Sequence, residues 1–226
     1  MIKESHSQLF LGRQPILGRD QQLSAYELLF RDGSGVLLNR AEVLNPTHAT
    51  ATVIANAFTE MTASDALGSY RGFINIDDGL LFSDLIEALP KERVVLEILE
   101  NIKPTPEVIA RCQELSDQGF ILAMDDIVHA NAAYRPLFEL ASIIKVDIMN
   151  MDTDFLRTLV LRLKKYGKQL LAEKVETLKQ FNYCKRLGFD LFQGYYFAKP
   201  TIIISKKINA SRMVLVHLLG LLINDA

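Results

Sequence analysis

The chain has 226 residues, 49% of them hydrophobic and 23% charged, enough apolar mass to bury a full core. Its net charge of −2 leaves no basic footprint for duplex nucleic acid. The longest apolar run, residues 213–223, is broken by His217 and too short to span a bilayer, and the polar start lacks a secretory apolar core, so a cytoplasmic protein without membrane contact is expected.

Residues 9–16 and 23–30 read as strands joined by Leu17-Gly18-Arg19-Asp20, a hairpin-like turn that makes one of them antiparallel. Residues 46–67, rich in alanine and threonine, predict a long helix. Residues 72–76 form the next strand-like run, tipped by Asn75 and Asp77, and residues 80–89 predict a helix closed by Pro90. The run 93–99 carries Glu97 inside it and Glu100 after it. A helix over 106–118 starts with Thr105 as N-cap and Pro106 in its first turn and stops at Gly119. Strand 120–124 leads into Asp125-Asp126, and strand 142–146 surrounds Lys145 and meets Asp147. Asp152-Thr153-Asp154 caps a helix over 155–166 that closes on Gly167. Strand 169–172 precedes Glu173 and Glu176, helix 177–187 closes on Gly188, and run 189–192 precedes Gln193. After Pro200, residues 201–205 are β-branched, and an apolar helix follows Lys206-Lys207 to the last residue. That helix either docks on the body of the protein or opens a further domain. Cys112 and Cys184 fall inside helical segments and read as buried, reduced thiols.

Strand, polar tip, helix, next strand is the grammar of an α/β barrel, which gathers side chains from distant sequence at the C-terminal ends of its strands. Glu27 and Glu97 interrupt apolar runs, and a carboxylate buried there is costly without a cation or strong hydrogen bonds. Several oxygen donors at one place suit Mg²⁺ or Mn²⁺ better than zinc, and no cysteine–histidine cluster has zinc-like spacing. His129 alone reads more readily as a surface or core residue than as a ligand. Lys145 also points at the pocket; a Schiff-base role needs a lowered pKa, whereas carboxylates around it favour the ammonium, which holds a water or a phosphate oxygen. Gln193-Gly194-Tyr195-Tyr196 is readable as a polar tip or as core packing with a tight turn. The absence of tryptophan argues against a sugar-stacking glycosidase.

Taken together, these residues resemble the EAL domain of bacterial cyclic di-GMP phosphodiesterases. Glu27-Leu28-Leu29-Phe30-Arg31 is similar to the name-giving Glu-Ala-Leu with its following arginine. Asn75 in Phe73-Ile74-Asn75-Ile76 is similar to the metal-binding asparagine, Glu97 and Glu100 to Glu-Leu-Thr-Glu, and Asp125-Asp126 to the paired aspartates. Lys145-Val146-Asp147 resembles Lys-Ile-Asp, Ala172-Glu173-Lys174-Val175-Glu176-Thr177 resembles Ala-Glu-Gly-Val-Glu-Thr, and Gln193-Gly194-Tyr195 with Lys199-Pro200 resembles the closing Gln-Gly-Tyr and Arg-Pro. Gly12-Arg13-Gln14-Pro15-Ile16 and the tail after Leu218 are most similar to the branch in which an EAL domain precedes an HDOD domain.

The resemblance implies a modified TIM-like (β/α)₈ barrel with an antiparallel first strand. It places the barrel domain at residues 1–204, with 205–226 as a linker and the opening of an HDOD-like regulatory domain. It further implies hydrolysis of cyclic di-GMP to pGpG at a two-ion Mg²⁺ or Mn²⁺ site. Glu27, Asn75, Glu97 and Asp125 would hold one ion, and Asp125 with Asp126 the second. Lys145, Glu173 and Glu27 would serve catalysis, while Arg31, Gln14, Gln193 and Glu176 would bind the substrate. A homodimer is an expected partner. One departure stands out: Ile127-Val128-His129-Ala130-Asn131 replaces the family's Phe-Gly-Thr-Gly, and without glycine the loop must follow another path. The second reading is a weak or inactive EAL domain that acts as a cyclic di-GMP receptor or a protein-interaction module.

Overall fold

In a computed structural model of the chain, residues 8–31 and 67–207 are described. The first two strands, β1 (Gln8–Gly18) and β2 (Leu23–Arg31), form the expected hairpin in antiparallel register, with Gln14 opposite Glu27. The turn sits later than the sequence suggests. Gly18 N–H donates to Gln22 O and Gln21 N–H to Gly18 O, and Gln21 takes a positive φ of 61°.

From β2 onward every barrel strand is parallel to its neighbour: β3 (Arg71–Ile76), β4 (Val94–Ile98), β5 (Ile121–Met124), β6 (Ile143–Asp147), β7 (Gln169–Glu173) and β8 (Leu191–Phe192). The end of β1 then pairs antiparallel with β8 through Leu17 and Gly18, which closes the sheet. The barrel is therefore α/β with an antiparallel first strand. A further strand, β9 (Thr201–Lys207), lies antiparallel on β1 as the ninth member of the sheet, and it runs past residue 204.

The helices between strands are α1 (Asp78–Leu81), α2 (Pro106–Asp117), α3 (Arg135–Leu140), α4 (Thr153–Leu163) and α5 (Leu178–Leu187). Their starts follow the local chemistry that the sequence displays. Thr105 accepts from Val108 N–H ahead of Pro106, Asp152 accepts from Asp154 and Phe155 N–H, and Thr177 with Gln180 forms a reciprocal capping box. The single helix expected over 80–89 is corrected to α1 and a 3₁₀ turn at Asp84–Ile86. Two caps compete in that stretch: Asp77 accepts from Leu80 N–H and Ser83 from Leu85 N–H, so each starts its own turn. Helix α3, with Pro136 in its first turn, has no counterpart among the expected elements. The helices expected before Leu67 and after Lys207 lie outside the described residues. Both cysteines are buried and free.

Two apolar layers result. Outward-facing strand residues such as Ile74, Leu96, Leu122, Ile144 and Leu170 pack under helix residues such as Cys112, Leu115, Phe138, Leu159 and Phe181. Inside the barrel, Ile16, Ala25, Phe73, Val95, Ala123, Ile143, Leu171 and Leu191 form a separate buried cluster that plugs the interior, one residue from each of the eight closing strands. No helix among the described residues is long and apolar enough to cross a membrane.

Candidate active site

The plug sets the site through the pleat of the sheet, because residues two apart on a strand share a face. Moving two residues from each plug residue toward the C-terminal ends of the parallel strands gives Glu27, Asn75, Glu97, Asp125, Lys145, Glu173 and Gln193. On β1, which runs the other way, the step is two residues back, to Gln14. Every closing strand thus places one polar residue above one apolar residue. Glu97 is fully buried, Lys145 is 1% exposed and Gln193 3%, with Gln14, Glu27, Asp125 and Glu173 also buried. The ring opens into a cavity of about 480 Å³ whose walls include Leu29, Glu100, Met149, Lys174, Glu176 and Tyr195, a size suited to a small-molecule ligand.

At its centre the Lys145 ammonium lies 2.6 Å from Glu97 Oε1, 2.6 Å from Asp125 Oδ1, 3.0 Å from Glu173 Oε1 and 3.9 Å from Glu27 Oε2. Burial pulls the lysine pKa down, but the four carboxylates outweigh it and hold Lys145 well above its ordinary value. It is an ammonium, which rules against a Schiff-base nucleophile. Burial pushes Glu97 and Glu173 well above the usual carboxylate range; Lys145 opposes the rise, and neighbouring carboxylates add to it. One ammonium faces four carboxyl groups, so the pocket is short of cation.

The unpartnered atoms of the ring tell the same story. Asn75 Oδ1, Glu97 Oε2, Glu173 Oε2 and Gln193 Oε1 are buried without a hydrogen-bond donor. Glu97 Oε1 also lacks hydrogen-bond alignment, although the Lys145 ammonium faces it. All are oxygen acceptors, the donor set of a hard divalent ion. Beside them, oxygens of Glu100, Asp125 and Asp126 lie within 4.8 Å of one another. The residues present therefore fit a divalent cation. Since Glu97 and Glu173 hold protons above the ordinary carboxylate range, adding Mn²⁺ to chelator-treated protein is expected to release protons, visible with an indicator dye in weak buffer near neutral pH. Apparent affinity should rise with pH as fewer protons have to leave.

Gln193 fixes the β1–β2 side of the ring. Its amide donates to Glu27 Oε2 and, at 3.2 Å, to Gln14 Oε1, while the Gln14 amide donates to Ala198 O. Gln193 is thus a pocket residue, which settles the two readings of its motif. Gly194 follows at φ 152°, and a Cβ there would stand 2.1 Å from Val175 O. Gly194→Ala is expected to cost about 3 kcal/mol or more in urea unfolding and to displace Gln193.

Asp126 and Asp147 meet Lys174 rather than Lys145: the Lys174 ammonium lies 3.0 Å from Asp126 Oδ1 and 2.5 Å from Asp147 Oδ2. Glu176 lines the cavity mouth, and its backbone N–H donates to Gln180 Oε1. Arg31 ends β2, with its side chain outside the described residues. His129 stands edge-on to Phe155, away from the ring. The rebuilt loop docks Ile127 N–H on Lys145 O and uses Asn131 as the cap of a 3₁₀ turn, with no positive φ between residues 127 and 131. Two charged cavity residues, Glu100 and Lys174, were absent from the expected ligand and substrate set. Glu100 was visible as a strand-end acid; the signal for Lys174 was a lysine standing where the similar motif has glycine.

Comparison with known proteins gives a concordant picture. The EAL domain family model matches residues 5–200. The cyclic di-GMP phosphodiesterase CdgJ of Vibrio cholerae serotype O1 is 35% identical over 211 residues, covering 92% of this chain and 48% of CdgJ. Bacillus subtilis YuxH is 36% identical over 199 residues, covering 86% of this chain and 48% of YuxH. The chain thus spans about half the length of these curated relatives. Among solved structures, the manganese and cyclic di-GMP complex of Klebsiella pneumoniae BlrP1 superposes with a TM-score of 0.71 at 21% identity. That match covers 89% of this chain and 57% of BlrP1, and bears on the fold.

Proposed function

The chain belongs to the EAL domain family, and from that premise we propose that it hydrolyses cyclic di-GMP to linear pGpG in bacterial second-messenger signalling. The observation that carries this reading is the ring of polar residues, one from each closing strand, with buried oxygens that lack any donor. The name of the CdgJ relative supports the same substrate.

Mg²⁺ or Mn²⁺ ions held by Glu27, Asn75, Glu97 and Asp125, with Asp125 and Asp126 at a second position, would supply Lewis-acid polarisation of the phosphodiester and acidification of a water. The chain's own residues do the rest. Lys145, held as an ammonium, donates to a phosphate oxygen and keeps the carboxylates around it in place. Glu173 Oε2, buried without a donor, accepts the proton of the attacking water once Glu173 has given up its own. Gln193 orients Glu27, and Gln14 orients Gln193. Arg31 grips a phosphate, Glu176 hydrogen-bonds a base edge, and Tyr195 with Leu29 gives the bases an apolar wall. In a cytoplasmic full-length protein, a homodimer and an HDOD-like domain after residue 204 would be its partners.

Incubation with cyclic di-GMP and Mn²⁺, followed by chromatography for pGpG beside a Glu27→Ala control, tests the proposal. Product from the wild type and none from the control is expected. Tight nucleotide binding without pGpG over hours would favour the receptor reading, for which the rebuilt loop at residues 127–131 is the structural argument.

A further inference from the structure

Lys174 follows the last residue of β7 and holds a φ of 56°, a left-handed conformation that favours glycine. Lysine stands where the similar motif has glycine, so the backbone shape is kept while a cation is added to the cavity wall. That cation bridges two strand ends, bonding Asp126 beyond β5 and Asp147 at the end of β6. Asp126 is also one of the three acids whose oxygens converge within 4.8 Å. In the proposed ligand assignment it is the carboxylate that would distinguish a second ion position from the first, because Asp125 would serve both.

We propose that the Lys174 ammonium is a tethered cation standing in for the second divalent ion, so that this chain binds one divalent ion and supplies the other positive charge itself. The proposal rests on the divalent-ion reading above and goes beyond it in the ion count. A divalent ion bound by Asp126 would have to displace the ammonium from that oxygen or sit against its charge. The first position also has an ammonium beside it, Lys145 on Glu97 Oε1 and Asp125 Oδ1, but it keeps two buried oxygens, Asn75 Oδ1 and Glu97 Oε2, with no partner at all, and Lys174 forms its ion pairs elsewhere, with Asp126 and Asp147. Lys174 thereby sets the stoichiometry without touching the first site.

The test titrates chelator-stripped full chain with Mn²⁺ and counts bound ions by the loss of the free-ion electron paramagnetic resonance signal. Wild type is expected to take one ion. Lys174→Gly, which relaxes the backbone and removes the charge, is expected to take two, with spin coupling between them and second-site affinity about ten- to a hundred-fold tighter than in wild type. Lys174→Asn, which tolerates the same conformation, should behave like the glycine variant. Two ions of similar affinity in wild type, or one in both variants, would overturn the role of Lys174 while leaving the divalent-ion reading intact. No bound ion in any of the three would overturn that reading itself.

Discussion

Replacing Lys145 with methionine is expected to destabilise the metal-free protein by about 3–5 kcal/mol and to abolish hydrolysis of cyclic di-GMP. The side chain is 1% exposed and reaches Glu97, Asp125, Glu173 and Glu27, so methionine fills the volume but leaves four carboxylates with no internal counter-charge. The pH dependence gives the test its sign. Glu97 and Glu173 already sit above the unfolded value, so the stability they contribute is present below about pH 4.5 and is lost as pH rises through their folded values. Without the ammonium both rise further, and the cost of the substitution should shrink at acid pH and grow toward alkaline pH. Urea unfolding in chelator at several pH values reads this directly. Added Mn²⁺ should restore part of the stability and none of the turnover.

Asp125→Asn should separate stability from activity. Asp125 bonds Lys145 and belongs to the group with Glu100 and Asp126, so it lies between the proposed divalent-ion position and the Asp126 carboxylate that Lys174 holds. Losing one carboxylate from a site already short of cation is expected to leave metal-free stability unchanged or to raise it. Hydrolysis should fall about a thousand-fold or more, since Lewis-acid stabilisation is worth several kcal/mol and each tenfold costs about 1.4 kcal/mol. Initial rates at saturating Mn²⁺, beside thermal unfolding in chelator, measure both effects. A variant that loses stability and activity in parallel would mean Asp125 is a structural residue only.

The barrel was legible because its signals are local and repeated. Strand tips at Asp125, Lys145 and Glu173 recur between helices that open on Thr105, Asp152 and Thr177 and close near Gly119, Gly167 and Gly188, and each cap shows in a short window. The ring itself was half legible. Apolar residues two positions before each polar tip form the plug, a period-two relation present in the sequence, but the sequence does not say which face of a fully buried strand is inside. Residues 80–89 misled because their apolar spacing suits one helix, while Asp77 and Ser83 each start a separate turn. Helix α3 is too short for a periodic signal. The ion pairs of Lys174 with Asp126 and Asp147 join residues 48 and 27 positions apart, which no local pattern encodes.

The central claim is that the eight closing strands build one cation-binding hollow above an apolar plug. Anomalous diffraction from a crystal soaked with Mn²⁺ and cyclic di-GMP tests it most directly. The account predicts a manganese peak bonded to Asn75 Oδ1 and to oxygens of Glu97 and Asp125, with a phosphate of the nucleotide against it. A map with the nucleotide bound elsewhere and no manganese among those three side chains would contradict it.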